Sequence, residues 1–177
     1  MDKRSSQLQL TRLSIEQAAC LQRLMERNPG YSQRVTGAVP AADAAIEALT
    51  ALPPTARAEQ KIDLGLWLDA ELVGFADLIV GWPRTDTVHI GLLMIDGARQ
   101  AEGLGKQLHE EVLTLVQDYP SITTCRITIV DTNAAEAEPF WTSLGYRPTG
   151  EASNHAAGDQ KSCARTWTRP VTSTRKE

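Results

Sequence analysis

Polar and apolar residues alternate at the start of the chain and then change period. Residues 7–13 alternate with the period of two expected of a half-buried strand. A capping box at Ser14 opens a helix, which is predicted to end at Asn28-Pro29-Gly30. A second helix is predicted over residues 41–52, because two prolines follow it. The form of the segment between these helices stays open.

The middle of the chain predicts a β-meander followed by a crossover. Residues 63–69 and 72–82 are predicted to form a hairpin. A strand over 88–95 ends in a continuous apolar run, as expected where both faces of a strand are covered. An amphipathic helix over 103–117 and an alternating strand over 124–131 follow. Two strands joined by a helix in this way are parallel, with a right-handed connection.

The last third of the chain predicts one more helix and two closing strands. The helix covers residues 134–144, and the strands cover 146–151 and 164–169. A polar loop over 152–162 is predicted to join these strands. The order of elements therefore predicts an α/β fold with a mixed, mostly antiparallel central sheet and flanking helices.

Composition and charge narrow the class of protein. The 177 residues are 42% hydrophobic and 23% charged, which is typical of one globular domain over 1–177 with a frayed tail from residue 170. The net charge of -4 argues against a nucleic-acid partner, because such binding depends on basic residues. Three widely spaced cysteines without metal-ligand spacing indicate reduced thiols, a cytoplasmic location and no metal. No apolar run is long enough for a membrane span, so no membrane partner is expected.

The most informative stretch is Gln-Ala-Glu-Gly-Leu-Gly-Lys at residues 100–106, between a buried strand and an amphipathic helix. Such a turn presents unpaired N–H groups at the positive end of a helix dipole, where a phosphate or pyrophosphate binds well. An isolated Gly-x-Gly serves a tight helix entry equally often. A Walker loop and a Rossmann fingerprint both fail, because Gln100, Gln107 and Leu108 stand where they need other residues.

This segment does resemble the Q/R-x-x-G-x-G/A motif of the GCN5-related N-acetyltransferase superfamily, with Gln100, Gly103 and Gly105 at the fixed positions. The resemblance implies the acyl-CoA N-acyltransferase fold. In that fold the fourth and fifth strands are parallel and splay apart, and acetyl-coenzyme A lies in the cleft between them.

Other segments extend the resemblance to roughly residues 7–170. Leu93-Met94-Ile95 is similar to the end of the family's fourth strand, and residues 140–146 are similar to its late helix. Asn133 lies near the family's usual asparagine, one residue further from the glycine than the commonest spacing.

The resemblance implies a set of residues that bind the coenzyme. Backbone groups of Met94 and Ile95 would face the pantetheine, and the Ile95 N–H would polarise the thioester carbonyl as charge develops on it. The Lys106 side chain would contact phosphate or stay solvated. The implied coenzyme-binding residues are Met94, Ile95, Gln100, Ala101, Gly103, Leu104, Gly105, Lys106, Asn133 and Trp141.

Attack by an amine also needs a base, because an ammonium cannot attack. His89 lies where several family members carry a glutamate for this purpose, and an imidazole pKa near 6.5 suits the role. The alternative is a strand histidine satisfied by its neighbours. Asp77 is the second candidate base, an anchor for a cationic substrate, or a surface aspartate. Trp141 stands where many relatives carry a tyrosine that protonates the thiolate, so this role is empty or filled from elsewhere.

The resemblance implies an N-acetyltransferase that moves the acetyl group of acetyl-CoA to a primary amine by direct attack in a ternary complex. Residues 30–62 and the Trp82-Pro83 corner would line the acceptor pocket. Small amines, amino acids, antibiotics and protein termini stay open as acceptors, and the compact length favours a small molecule. Trp141 motivates one alternative, a non-catalytic acyl-CoA sensor or interaction module; the glycine loop alone motivates another, a nucleotide-binding regulatory domain. Exposed sheet edges are compatible with a homodimer.

Overall fold

One seven-stranded sheet with helices on both faces makes up the part of the chain described by the computed structural model, residues 7–158 and 160–172. The strands are β1 (Leu8–Arg12), β2 (Lys61–Leu68), β3 (Glu71–Val80), β4 (Thr87–Ile95), β5 (Thr124–Val130), β6 (Arg147–Ala157) and β7 (Gln160–Pro170). The helices are α1 (Ala18–Glu26), α2 (Pro29–Thr36), α3 (Ala44–Thr50), α4 (Leu104–Val116) and α5 (Ala134–Ser143). Within these residues, none of the helices has the length and apolar character needed to cross a bilayer.

The sheet is mixed, as predicted. Its strand order is β1-β2-β3-β4-β5-β7-β6, and in the described residues every neighbouring pair is antiparallel except β4 and β5. The parallel pairing covers three positions, from Thr87–Thr124 to His89–Arg126. β3 continues to pair with β4 as far as Ile95. The two parallel strands therefore diverge at their carboxyl ends and leave a gap inside the sheet.

Two separate hydrophobic cores cover the two faces of the sheet. On one face α4 packs through Leu108 and Val112, which are fully buried. On the other face Leu21 and Leu24 of α1 pack with α3 against Phe75 of β3. The gap between β4 and β5 is an opening in the sheet that connects its two faces.

Helix α2 differs from the prediction for the segment after Asn28. Pro29 lies in the first turn of α2, where its missing N–H leaves no bond unmade. Gly37, with a φ of 79°, ends the helix in the left-handed region. None of the residues of α2 is fully buried, so no apolar periodicity marks it in the sequence.

The second correction concerns the predicted loop over 152–162. The structure has a continuous hairpin there, in which residues 152–157 of β6 pair with residues 160–165 of β7 in regular antiparallel register. Residues 147–154 of β6 are all exposed, and a strand exposed on both faces shows no alternation. The other predicted helices and strands are confirmed, with small shifts at their ends. Residues 173–177 of the predicted tail lie outside the described residues.

A buried hydrogen bond joins α4 to the segment that follows α5. His109 Nε2 and the Tyr146 hydroxyl oxygen are 2.9 Å apart, and both residues are at most 1% exposed. Burial, and to a lesser extent the positive charge of Arg169, lowers the pKa of His109 to about 4. His109 therefore makes this bond as a neutral imidazole at pH 7.

Tyr146→Phe should lower the free energy of unfolding by about 1–3 kcal/mol, because it leaves His109 Nε2 buried without a partner. Adding His109→Leu should recover part of this loss, since neither side of the pair is then polar. Urea denaturation of the wild type, both single variants and the double variant measures the coupling. If the loss of stability in the double variant equals the sum of the losses in the two single variants, the His109–Tyr146 pairing is contradicted.

Candidate active site

A cavity of about 600 Å³ occupies the gap between β4 and β5 and reaches beneath α2. Its walls come from both diverging strands, the start of α4, one side of α5, α2 and β6. Neither His89 nor Asp77 lines it. All ten residues that the family resemblance implies for the coenzyme do: Met94, Ile95, Gln100, Ala101, Gly103, Leu104, Gly105, Lys106, Asn133 and Trp141.

The glycine loop opens the N-terminus of α4 to this cavity. Gly103 is the N-cap residue with a φ of 82°, and a Cβ on it would meet nothing within 4 Å. The first turn of a helix leaves its amides without intrahelical acceptors. No described residue accepts a hydrogen bond from the N–H groups of Leu104, Gly105 or Lys106. These donors and the helix dipole together suit an anion.

The α5 wall of the cavity is aromatic. Phe140 and Trp141 pack edge to face, with ring centroids 5.1 Å apart, and Trp141 packs in the same way on Tyr146 at 5.0 Å. A Cβ on Gly105 would lie 3.1 Å from Cε2 of Phe140. The second glycine of the motif thus lets the start of α4 pack closely against α5, which is a structural role.

Two amides of β4 face the gap. The Asp96 N–H donates to the Val73 carbonyl of β3 over 2.8 Å. Because backbone groups alternate sides along a strand, those of Met94 also face β3, whereas those of Leu93 and Ile95 point into the gap. Ile95 thus has the predicted free N–H. Met94 lines the cavity without offering its backbone, and Leu93 adds a donor that the motif did not indicate.

His89 lies at the closed end of the gap, in a cluster with β5. Its Nδ1 is 3.1 Å from Arg126 Nη1, and since a guanidinium can only donate, Nδ1 accepts and Nε2 carries the proton. The Trp82 ring packs edge-on against the imidazole at 5.2 Å. Burial, followed by the charge of Arg126, lowers the pKa of His89 to about 4. This geometry leaves His89 no free lone pair for an amine.

Asp77 belongs to a buried charge cluster with β2. Lys61 Nζ lies 2.6 Å from Asp77 Oδ1 and 3.2 Å from Asp63 Oδ1, and only 7% of the Lys61 side chain is exposed. Burial raises the pKa of Asp77, and the hydrogen bond from Lys61 opposes that shift. Burial likewise raises the pKa of Asp63 to about 7, although Lys61 acts against it.

A β-bulge brings this cluster close to the cavity. β3 pairs Asp77 with Leu92 and Leu78 with Ile90, so Gly91 has no partner on β3. A Cβ on Gly91 would lie 2.8 Å from Asp77 Oδ2, and Gly91 lines the cavity. Asp77 Oδ2 therefore stands directly behind the cavity wall, at a point where that wall is only backbone.

The wall formed by α2 and β6 contains polar residues that the sequence did not single out. Tyr31 and Arg34 of α2 and His155 of β6 line the cavity, and Arg34 Nε donates to Asn133 Oδ1 over 2.6 Å. His155 Nε2 is buried and has no hydrogen-bond partner among the described residues. The family resemblance implies that residues 30–62 line the acceptor pocket. Because the sequence does not predict helix α2, it does not indicate which side chains of this segment face the cavity.

Comparison with known proteins agrees with the geometry of this cavity. The sequence model of the acetyltransferase (GNAT) domain matches residues 45–158. No curated protein matches the chain by sequence.

Solved structures of the same fold cover nearly the whole chain. An acetyltransferase from Thermus thermophilus is 21% identical, with a TM-score of 0.75 over 93% of this chain and 97% of that one. The ribosomal-protein-S18-alanine N-acetyltransferase of Escherichia coli is 16% identical, with a TM-score of 0.67 over 97% and 98%. A Salmonella typhimurium acetyl transferase that modifies the N-terminal serine of ribosomal protein L7/L12 is 13% identical, with a TM-score of 0.74 over 95% and 96%. At these identities the likeness concerns the fold.

The contribution of the buried histidines to the free energy of unfolding should decrease as the pH falls from about 6.5 toward 4, whereas the raised pKa values of Asp63 and Asp77 contribute in the opposite direction. The folded pKa of His89 is about 4, below the unfolded value of about 6.5, so His89 binds more protons in the unfolded chain in this range and its contribution to stability rises with pH. His89→Gln should remove about half of the histidine contribution, since His109 has a similarly lowered pKa. Urea denaturation at several pH values tests this, and a variant with the wild-type pH dependence would contradict it.

Proposed function

Because the chain belongs to the GNAT acetyltransferase family, we propose that it transfers the acetyl group of acetyl-coenzyme A to a primary amine. One observation carries this proposal: a single cavity joins the anion-binding start of α4 to the unpaired amides of β4. Coenzyme A has the matching chemistry, with a pyrophosphate at one end, amides along its arm and a thioester at the other end.

The pyrophosphate binds at the glycine loop, where Leu104, Gly105 and Lys106 offer free N–H groups. From there the arm runs along β4 toward the closed end of the gap. Ile95 is closer to the loop and its amide bonds the pantetheine. Leu93 is deeper, so its N–H is the donor placed for the thioester carbonyl. A fixed donor at that oxygen stabilises the charge that develops during attack.

Asp77 takes the role of base in this proposal. Its Oδ2 stands behind Gly91, within reach of an amine in the cavity directly or through one water. The raised pKa makes its carboxylate a stronger base than an exposed aspartate. His89 instead holds β4 and β5 together through Arg126.

The transfer is balanced without an acyl-enzyme. Asp77 takes one proton from the ammonium, and the neutral amine nitrogen forms a bond to the acetyl carbon. The carbon–sulfur bond then breaks, the coenzyme leaves as a thiolate, and the second proton of the nitrogen passes to solvent, so that an amide remains. Trp141 stands in the place of the tyrosine acid and cannot supply a proton. A thiol pKa of about 8.5 allows the thiolate to leave without one.

A small-molecule amine is the proposed acceptor, since the cavity has a volume of about 600 Å³ and both α2 and β6 contribute to its walls. Trp141 also keeps the non-catalytic acyl-CoA sensor as a second candidate. Binding of acetyl-CoA without transfer to any member of an amine and peptide panel would favour that sensor.

Calorimetric titration should show selective binding of acetyl-CoA, with ATP and NAD as controls. Gly103→Ala should weaken this binding about tenfold or more, because its methyl group enters the open space at the anion site. Gly150→Ala is the matched control, since Gly150 has a similar φ of 87° and equally open surroundings.

Both alanine variants carry the same backbone strain, of about 1–2 kcal/mol, so their stabilities should fall equally. Only the affinity for acetyl-CoA should separate them. Selective binding of ATP or NAD by the wild type, or equal affinities in the two variants, would contradict the coenzyme assignment.

Asp77→Asn should reduce kcat about 100-fold or more at neutral pH, because an amide cannot accept the amine proton. In the wild type, kcat should decrease as the pH falls through the Asp77 pKa, since the protonated carboxyl is no longer a base. The loss in the variant should shrink at alkaline pH, where more of the amine is unprotonated. A pH–rate profile of both proteins measures this.

Asp63→Asn is the control for the charge cluster. It removes the other carboxylate beside Lys61, and this carboxylate is not placed behind Gly91. Asp63→Asn should keep most of the wild-type kcat, and its kcat should still decrease at acidic pH as in the wild type. Equal losses in the two variants would assign Asp77 a structural role.

A further inference from the structure

Arg34 is a cation in the cavity wall without an anionic partner. Its Nε is held by Asn133 Oδ1 over 2.6 Å, and no carboxylate of residues 7–158 or 160–172 forms a salt bridge with it. The bond to Asn133 uses one of its five donors, so the rest of the planar guanidinium stays available. Arg34 is thus positioned and electrostatically uncompensated.

Tyr31 places a second donor beside Arg34. The two residues are three apart on α2 and therefore share one face of the helix, and both line the cavity. Burial raises the pKa of Tyr31 to about 12, and the nearby charge of Arg34 opposes the shift. The phenol stays protonated at neutral pH and can donate. Two donors without an acceptor suit a carboxylate.

The phosphates of the coenzyme have their own cations. Arg99 and Lys106 line the cavity around the glycine loop, at the start of α4. Arg34 is on α2, and its neighbour Tyr31 packs against the core of α1 and α3 on the other face of the sheet. Apart from His155, Glu136 is the remaining acidic or basic residue in the cavity lining. Arg34 is therefore the cation that faces the acceptor.

We propose that the acceptor is an amine bearing a carboxylate, with Arg34 and Tyr31 binding that carboxylate as specificity-determining residues. This inference rests on the proposed acetyl transfer and adds the acceptor's chemical class. Asp77 lies two residues after Phe75 on β3, so it faces the same side of the sheet as α2's neighbours α1 and α3. An amino acid can thus present its amine to Asp77 and its carboxylate to α2.

Paired acceptors test this directly. The wild type should acetylate amino acids, such as glycine, β-alanine and phenylalanine, with a kcat/KM about 10- to 100-fold higher than their carboxamides for at least one pair. Rates are compared per concentration of unprotonated amine, because the two amines of a pair differ in pKa. A cationic panel of diamines and a peptide N-terminus complete the set.

Arg34→Met should abolish the preference for carboxylate over carboxamide, and Arg34→Lys should retain part of it. The ratio within a pair cancels any general damage to the fold. Tyr31→Phe should reduce the same ratio several-fold, which provides a second test if the Arg34 variants are unstable. Arg23→Met on α1 removes an exposed charge outside the cavity and should leave the ratio unchanged.

The affinity for acetyl-CoA shows whether a negative result contradicts the acceptor inference or the proposed acetyl transfer itself. It should be unchanged in Arg34→Met, and a large loss there would assign Arg34 to the coenzyme and overturn the inference. A wild type that acetylates only diamines, carboxamides or the peptide would also overturn it, while leaving acetyl transfer intact. A wild type that binds no acetyl-CoA would instead remove the proposed function itself.

Discussion

Backbone amides inside a folded protein need hydrogen-bond acceptors, and the divergence of β4 from β5 leaves part of β4 without them. β3 holds one side of β4 as far as Ile95, so the strand cannot turn its free amides elsewhere. The His89–Arg126 contact fixes the point at which the two strands separate. The cavity, the glycine loop at its mouth and the aromatic wall of α5 are all arranged around this interrupted sheet.

Burial then decides the charge state of each group around the gap. His89 and His109 are kept neutral by desolvation, so they serve as hydrogen-bonding side chains with no charge to solvate. Asp63 and Asp77 share one lysine, and desolvation pushes their pKa values upward. Among the described residues, the first N–H groups of α4 and the Arg34 guanidinium on α2 have no anionic partner. These two positive regions lie at different walls of one cavity.

The sequence allowed the sheet order around the crossover to be predicted, because this order depends on local patterns. The ten residues that the family resemblance implies for the coenzyme line one cavity. Apolar runs mark β4 and α4, and the glycine motif marks the turn between them. The environment of His89 could not be predicted, since Arg126 lies on another strand 37 residues away. The same holds for Asp77, whose closeness to the cavity depends on the bulge at Gly91. Neither α2 nor the outer half of β6 has a buried face, so their sequences show no periodic pattern of apolar residues.

The lack of any fully buried residue in α2 has a consequence for how such an enzyme diversifies. Apart from Tyr31, which packs against the core of α1 and α3, substitutions on such a helix cost little stability, so selection can change the α2 wall of the cavity while the wall at the glycine loop stays as it is. Pro29 and Gly37 keep the helix in place at its two ends. Related chains can thus acquire new acceptors by mutation of a few positions, without first acquiring a more stable fold.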